Sequence, residues 1–216
     1  LGIGVLLSGS DWSGSRFSKN VVTGFRTGLS LGLLDTVTIE ENQLIIGTAT
    51  IDGASRAIVQ SGIQNDVSIR QNFISGFREG MELVGASTSY GIRVVGNDIR
   101  CQIDYVVEGS YHARGIKYAY TGAVPGTDIG LCIQDNLIQN LVGDAGASDT
   151  TGLPGGGIVI GASARTDVYL GVNVSNNIIR ANHGVSRTSL STMWFCGIYM
   201  GGAFPGAKIT DNQIVN

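Results

Sequence analysis

The sequence predicts an all-β chain wound into a parallel β-helix, a solenoid in which each turn of the coil, here called a rung, stacks on the rung before it. Three features predict this fold class: short apolar runs of period two, an Asn that recurs after such runs, and a Gly that opens the next run. No window of the sequence shows a sustained helical period of apolar residues. Self-similarity of this kind is typical of repeat architectures.

The Asn repeat has its clearest copy in residues 72–83, and the same phrase stands at residues 20–31. The shortest Asn-to-Asn separation, 22 residues, sets the minimal rung, and the longer separations contain insertions. Asn tolerates the left-handed backbone of a corner, and stacked Asn side chains can hydrogen-bond along a column. The repeat therefore predicts about seven to eight rungs with an Asn column at one corner. The recurring residues are Asn20, Asn42, Asn72, Asn97, Asn136, Asn177 and Asn212.

The Gly repeat predicts which side chains face the coil interior. Alternation after the Gly places one set inward: Leu29, Met81, Ile116, Ile158 and Ile198. It places the other set outward: Ser30, Glu82, Lys117, Val159 and Tyr199. Because rungs stack about 4.8 Å apart, Glu82 and Lys117 are expected to be stacked neighbours that form a surface ion pair.

Insertions are predicted at one corner of the coil. Residues 99–115, 138–157 and 179–197 are long connections between an Asn phrase and the next Gly strand, whereas residues 74–80 are short. Since the three insertions occupy the same corner of successive rungs, they are expected to emerge side by side, and insertions on one face often form the binding face of a repeat protein. A loop at 118–128 is expected to border the same surface, and a further loop spans 201–207. These two loops carry Tyr118, Tyr120, Pro125, Phe204 and Pro205.

The insertions supply the candidate catalytic residues. The insertions combine aromatic side chains with planar polar groups, as carbohydrate sites do. Glycoside cleavage usually adds two carboxyl groups, about 5–5.5 Å apart for retention of configuration and about 6.5–9.5 Å apart for inversion. Asp104 and Glu108 lie in the first insertion, and Asp144 and Asp149 lie in the second. The sequence does not choose between the possible pairs. The candidate substrate-binding residues are Tyr105, Tyr111, His112, Arg114, Lys117, His183, Arg187 and Trp194.

Other chemistries remain open on the same residues. A polysaccharide lyase would abstract the proton next to a uronate carboxylate with a base such as His112, Tyr111, Arg114 or Lys117. A glycan-binding adhesin or receptor-binding fibre would use the same loops without cleavage. A purely structural shaft is disfavoured, because it has no use for three long loops on one edge.

Composition excludes several partners. The net charge is −3 and no basic run occurs, which argues against nucleic acid. No apolar stretch is long enough to predict insertion into a membrane. Cys101, Cys132 and Cys196 lack metal-binding spacing and imply no disulfide framework, so neither a metal nor another cofactor is expected.

The repeated Asn-apolar-Ile and Gly-Ile phrases resemble those of the right-handed parallel β-helix, or pectin-lyase-like, superfamily. Within it, the chain is most similar to the β-helical body of bacteriophage tailspikes and polysaccharide depolymerases. The resemblance covers nearly all of residues 15–216 and implies an extracellular homotrimer on a virion tail. Its implied partner is the capsule or lipopolysaccharide of a bacterial surface. Neither end shows the polar cap that solenoids need, so we expect residues 1–216 to be one β-helix domain, incomplete at both ends.

Overall fold

The computed structural model of the chain confirms the predicted fold class. It describes residues 2–8, 12–32, 34–46, 55–101, 114–120, 127–141, 155–161, 166–181 and 195–215. Within these residues there is no helix, every pair of neighbouring strands is parallel, and the strands stack in seven rungs. The chain is therefore an all-β parallel β-helix.

Each rung contains three or four strands. The first four rungs have three strands each: β1 (Ile3–Leu7), β2 (Arg16–Ser18) and β3 (Val21–Thr23); β4 (Thr27–Leu31), β5 (Thr38–Glu40) and β6 (Gln43–Ile45); β7 (Arg56–Asn65), β8 (Ser68–Arg70) and β9 (Phe73–Ser75); β10 (Glu79–Tyr90), β11 (Arg93–Val95) and β12 (Asp98–Arg100). The next two have four strands each: β13 (Arg114–Ala119), β14 (Thr127–Ile129), β15 (Cys132–Gln134) and β16 (Leu137–Leu141); β17 (Gly155–Gly161), β18 (Val168–Leu170), β19 (Asn173–Ser175) and β20 (Ile178–Ala181). The last described rung has β21 (Phe195–Gly201), β22 (Lys208–Thr210) and β23 (Gln213–Val215).

The strands form three sheets, and the chain passes from sheet A to sheet B to sheet C in every rung. Sheet A has the order β1-β4-β7-β10-β13-β17-β21, and β14 joins it by pairing with β10 and with β18. Sheet B has the order β2-β5-β8-β11-β15-β19-β22. Sheet C has the order β3-β6-β9-β12-β16-β20-β23.

The core is a set of aliphatic rows that run along the coil. The central residue of each short strand in sheets B and C faces inward, and in the inner rungs it is fully buried, as at Ile69 and Ile74. Of the five predicted inward positions in sheet A, Leu29, Met81, Ile116 and Ile158 have no exposed area, and Ile198 in the last described rung is partly buried. Each fully buried side chain of this size contributes about 1.5–3 kcal/mol of transfer free energy.

The predicted Asn column is present at the corner between sheets B and C. Each side-chain amide donates from Nδ2 to Oδ1 of the next Asn at 2.9–3.0 Å, from Asn20 through to Asn212. Each Oδ1 that receives this bond also accepts the backbone N–H of the Asn one rung earlier. The amides thus pair corner backbone that would otherwise be buried without partners.

The expectation that these Asn residues take the left-handed conformation is wrong. The left-handed residue is the one before each Asn, for example Gln71 with φ 54° and Gly96 with φ 67°. The physical reason is that the Asn amide must point inward along the column, while the exposed residue before it makes the turn. The full set at this corner is Lys19, Glu41, Gln71, Gly96, Asp135, Asn176 and Asp211.

The repeated Gly is required by close packing between rungs. A Cβ at Gly115 would lie 2.4 Å from Ile138 Cγ2 and 2.6 Å from the carbonyl oxygen of Gly157 on the next rung. Such contacts are far shorter than van der Waals distance. The Gly column therefore allows sheet A to approach the isoleucines of sheet C.

The predicted insertions do share one corner. The segments 101–113, 142–154 and 182–194 all connect sheet C to sheet A in successive rungs. A fourth long connection, residues 46–55, leaves the same corner two rungs earlier and was not predicted, because Ala57 replaces the Gly that opens the other strands. The segments 24–26 and 76–78 are the short connections.

Candidate functional site

Two rows of register partners run along sheet A, close to the points where the long connections enter its strands. Register between strands defines the first row as Ile3, Thr27, Arg56, Glu79, Arg114, Gly156 and Cys196. It defines the second row as Leu6, Ser30, Val59, Glu82, Lys117, Val159 and Tyr199. All the charges in these rows fall on three consecutive rungs.

These charges form one continuous chain of ion pairs. Arg114 Nη1 donates to Glu79 Oε1 at 3.0 Å, and Arg56 Nε donates to Glu79 Oε2 at 3.1 Å. The same Arg56 Nε lies 3.0 Å from Glu82 Oε2, and Lys117 Nζ donates to Glu82 Oε1 at 2.9 Å. We call these five residues the sheet A charge cluster.

Two carboxylates of one strand meet on either side of a residue of the Gly column. In a regular strand, residues three apart point to opposite faces. Glu79 and Glu82 nevertheless both contact Arg56 Nε, and the pairing of β10 with β13 skips Gly80. A Cβ at Gly80 would lie 2.5 Å from the Gly115 carbonyl oxygen and 2.5 Å from Ile99 Cγ2, so the close approach of the neighbouring backbone here requires glycine.

The two carboxylates of the cluster are close together, and its cations favour the ionised form of Glu82. Glu79 Oε2 and Glu82 Oε2 contact the same nitrogen at 3.1 and 3.0 Å, so they lie at most 6.1 Å apart. Burial acts to raise the pKa of Glu82, but Lys117 and the neighbouring guanidinium groups outweigh it and lower that pKa below its ordinary value. An ionised carboxylate suits a base, a nucleophile or a charge stabiliser, and is unsuited to act as the general acid.

The cluster carries more positive than negative charge. Three cations hold two carboxylates, on a chain whose net charge is −3. On the next rung, the register partners of Arg114 and Lys117 are Gly156 and Val159, so neither row continues with an anion. The five residues of the cluster therefore carry a net positive charge, opposite in sign to the net charge of the whole chain.

The structure describes two of the twelve predicted site residues. Arg114 is the first residue of β13 rather than part of the insertion, and Lys117 follows in the same strand. Both belong to the sheet A charge cluster, and their role in binding substrate stays a prediction. The other ten lie outside the described residues: Asp104, Tyr105, Glu108, Tyr111, His112, Asp144, Asp149, His183, Arg187 and Trp194.

Two expectations about this side of the coil need correction. Glu82 and Lys117 are stacked neighbours, as predicted, but their side chains are only 16% and 9% exposed, so they are not an open surface pair. Tyr118 and Tyr120 do not border the outer surface. They are buried in the core, because the alternation of β13 turns Tyr118 inward and Tyr120, directly after the strand, packs edge-on against it.

The inward tyrosines surround a second, internal polar group. Tyr118 Oη donates to Asp128 Oδ2 at 2.6 Å, and the Leu131 backbone N–H donates to Asp128 Oδ1 at 3.1 Å. Burial raises the pKa of Asp128 to about 6, although both hydrogen bonds act in the opposite direction. Because Asp128 has no exposed area, this group holds the corner before β15 and is not a binding site.

Sequence reasoning missed Arg56 and Glu79. The available signal was positional: Arg56, Glu79 and Arg114 each stand directly before the residue of the Gly column, which is Ala57 in one rung. They are 23 and 35 residues apart in the chain, and only the strand register brings them together.

Comparisons with known proteins give the chain no family. No family model matches it, and no match is found among curated proteins or solved structures.

In the part of the chain that the structure describes, no helix is long and apolar enough to cross a membrane. The same residues contain no group of three or more His, Cys, Asp or Glu side chains placed to hold a metal ion. The structure thus shows a parallel β-helix with a largely buried charge cluster on sheet A, next to the corner from which the long connections leave.

Proposed function

We propose that this β-helix binds bacterial surface polysaccharide and cleaves it by glycoside hydrolysis, as the body of a tailspike-like protein. The observation that carries the proposal is the position of the sheet A charge cluster, at the roots of the long connections of one corner. In the tailspike-like assembly that we propose, three copies of the chain stand on a virion tail outside the host cell.

The chemistry of hydrolysis matches this arrangement. Its transition state resembles an oxocarbenium ion, and an adjacent carboxylate stabilises that positive charge. The cluster supplies one carboxylate that its cations hold ionised, Glu82, on a strand of sheet A. The insertions are the source of the general acid, for which the candidates are Asp104, Glu108, Asp144 and Asp149.

Lyase chemistry is the second candidate, and the excess of cations in the cluster favours it. A lyase must neutralise the uronate carboxylate before a base removes the neighbouring proton. Arg56, Arg114 and Lys117 lie within one cluster and would supply that positive charge.

Incubation of the purified chain with capsular polysaccharides and lipopolysaccharides tests the proposal. New reducing ends without the ultraviolet absorbance of an unsaturated uronate would support hydrolysis. Reducing ends together with that absorbance would support the lyase. Retention of a polysaccharide on the immobilised chain with neither signal would show a binding protein and contradict both enzyme readings.

A further inference from the structure

The two carboxylates of the sheet A charge cluster differ in access from outside the coil. Glu79 has a side chain that is 5% exposed and is held by two arginines. Glu82 is 16% exposed, and one of its cations, Lys117, is only 9% exposed. Glu82 therefore lies nearer to solvent than the lysine that holds it.

Arg56, the other cation on Glu82, is 36% exposed, so the carboxylate is less exposed than one of its cations and more exposed than the other. An ion-paired carboxylate on sheet B has a different arrangement. Glu40 on sheet B also sits between two arginines, since Arg70 Nε donates to it at 2.6 Å and Arg16 contacts its other oxygen. There the carboxylate is 2% exposed, while the arginines above it are 51% and 59% exposed. The Glu40 carboxylate is covered by its own cations, as in an ion pair that only joins rungs.

The surface beside Glu82 is open on one side. Toward the later rungs of its row, Lys117 and Val159 are buried although they face away from the interior. Toward the earlier rungs, Val59 and Ser30 are partly exposed. A sugar ring approaching from that side meets a hydroxyl, an aliphatic side chain and then the Glu82 carboxylate.

We propose that Glu82 is the carboxylate that faces the reacting sugar ring, with Lys117 and Arg56 as positioning residues that hold it. This inference rests on the proposed glycan-cleaving function and assigns a residue to it. The role is electrostatic: the carboxylate stabilises the positive charge that develops on the ring oxygen and anomeric carbon in the transition state. Lys117 and Arg56 fix its two oxygens, at 2.9 and 3.0 Å.

The test uses the full chain and the capsular polysaccharide or lipopolysaccharide that the wild-type chain cleaves. Glu82→Gln is expected to lower kcat by roughly 100- to 1,000-fold, the range for loss of one charge contact in a transition state. Its KM and its retention on immobilised polysaccharide are expected to stay within about threefold, because the lost contact is made in the transition state. Glu40→Gln is the matched control, since it breaks a similar ion pair on another sheet, and it should keep the wild-type rate.

Lys117→Met is tested by the pH dependence of kcat/KM, which would not change if Lys117 and Glu82 only stabilised the fold. Without the ammonium group, the acid limb of the kcat/KM–pH profile is expected to move to higher pH, because burial raises the pKa of Glu82 and Lys117 no longer opposes it. Circular dichroism on each variant establishes that it is folded. If Glu82→Gln does not fold, the pH profile of Lys117→Met tests the assignment of Glu82 instead.

The possible outcomes distinguish failure of the Glu82 assignment from failure of the proposed glycan-cleaving function. A wild-type chain that cleaves nothing in the panel overturns both. A wild-type chain that cleaves, with Glu82→Gln as fast as Glu40→Gln or with an unmoved acid limb in Lys117→Met, overturns only the assignment of Glu82. Loss of binding together with rate in a folded Glu82→Gln chain also overturns it, because that pattern indicates a contact in the ground state.

Discussion

The Asn72 side-chain amide donates a 3.0 Å hydrogen bond to Asn97 Oδ1 on the next rung, and its own Oδ1 accepts one from Asn42 on the rung before. The same Nδ2 group also donates to the Ile39 and Arg70 carbonyl oxygens. One buried side chain therefore satisfies polar groups on several rungs at once.

Replacement of Asn72 by Ala is expected to cost about 3–5 kcal/mol of unfolding free energy, because it leaves several buried donors and acceptors unpaired at about 1–3 kcal/mol each. Asn20→Ala is the control, since Asn20 lies in the first rung and its amide bonds to Asn42 and to Ser18. Its loss should be less than half as large. Urea denaturation measures both, and equal losses would show that the column is not the source of the stability.

The left-handed corner makes a stabilising substitution available. Gln71 is exposed and has φ 54°, a conformation that costs a residue with a Cβ roughly 1–2 kcal/mol. Gln71→Gly is therefore expected to raise the unfolding free energy by about 0.5–1 kcal/mol, the strain relieved being partly offset by greater freedom in the unfolded chain. Gln43→Gly, at an exposed position inside β6, should lower it by a similar amount. A loss of stability in Gln71→Gly would contradict the strain argument.

Close packing at the Gly column predicts a large loss for a single methyl group. Gly115→Ala would place a Cβ 2.4 Å from Ile138 Cγ2 and 2.6 Å from a backbone oxygen, and overpacking of this kind costs about 1–3 kcal/mol or more. Gly206→Ala separates the steric effect from the conformational one: Gly206 has φ 71° but no atom within 4 Å of the added Cβ. Thermal denaturation should show the larger loss for Gly115→Ala, and the reverse order would count against close packing.

Much of the scaffold could be predicted, because each rung repeats the same local requirements. Asn97 and Asn136 are 39 residues apart, yet both follow an alternating run and precede an apolar pair, so their equivalence is visible in the sequence. The left-handed residue was assigned one position too late, since the sequence pattern does not distinguish the turning residue from the Asn beside it.

The candidate site was harder to predict because it depends on register rather than on motif. Arg56 and Glu79 lie on different rungs, and the lengths of the intervening connections do not reveal that they pair. The exposure order of Glu82 and Lys117 is likewise a property of packing, which alternation in a strand does not contain. The predicted carboxylates of the insertions lie in segments that contain no copy of the Asn or Gly phrase, so the repeat assigns them no register.

The internal Asp128 predicts a stability that falls as pH rises. Its pKa is raised from an ordinary value of 3.8 to about 6, so the folded chain holds the proton more tightly than the unfolded chain. The stabilising contribution of the protonated group is complete below about pH 4 and is lost as pH rises through about 6. The loss amounts to about 3 kcal/mol, since one pKa unit corresponds to about 1.4 kcal/mol.

Asp128→Asn keeps the shape of the side chain but cannot ionise. Between pH 4 and pH 7 the wild type should therefore lose unfolding free energy relative to this variant. Tyr118→Phe removes a hydrogen bond that lowers the pKa of Asp128, and it should extend the pH-dependent loss to higher pH. Urea denaturation across this pH range measures both variants. The comparison with wild type cancels the opposite contributions of the ion-paired carboxylates, including Glu82, whose pKa is lowered. A difference between Asp128→Asn and wild type that does not change with pH would mean that Asp128 is ionised in the core throughout this range.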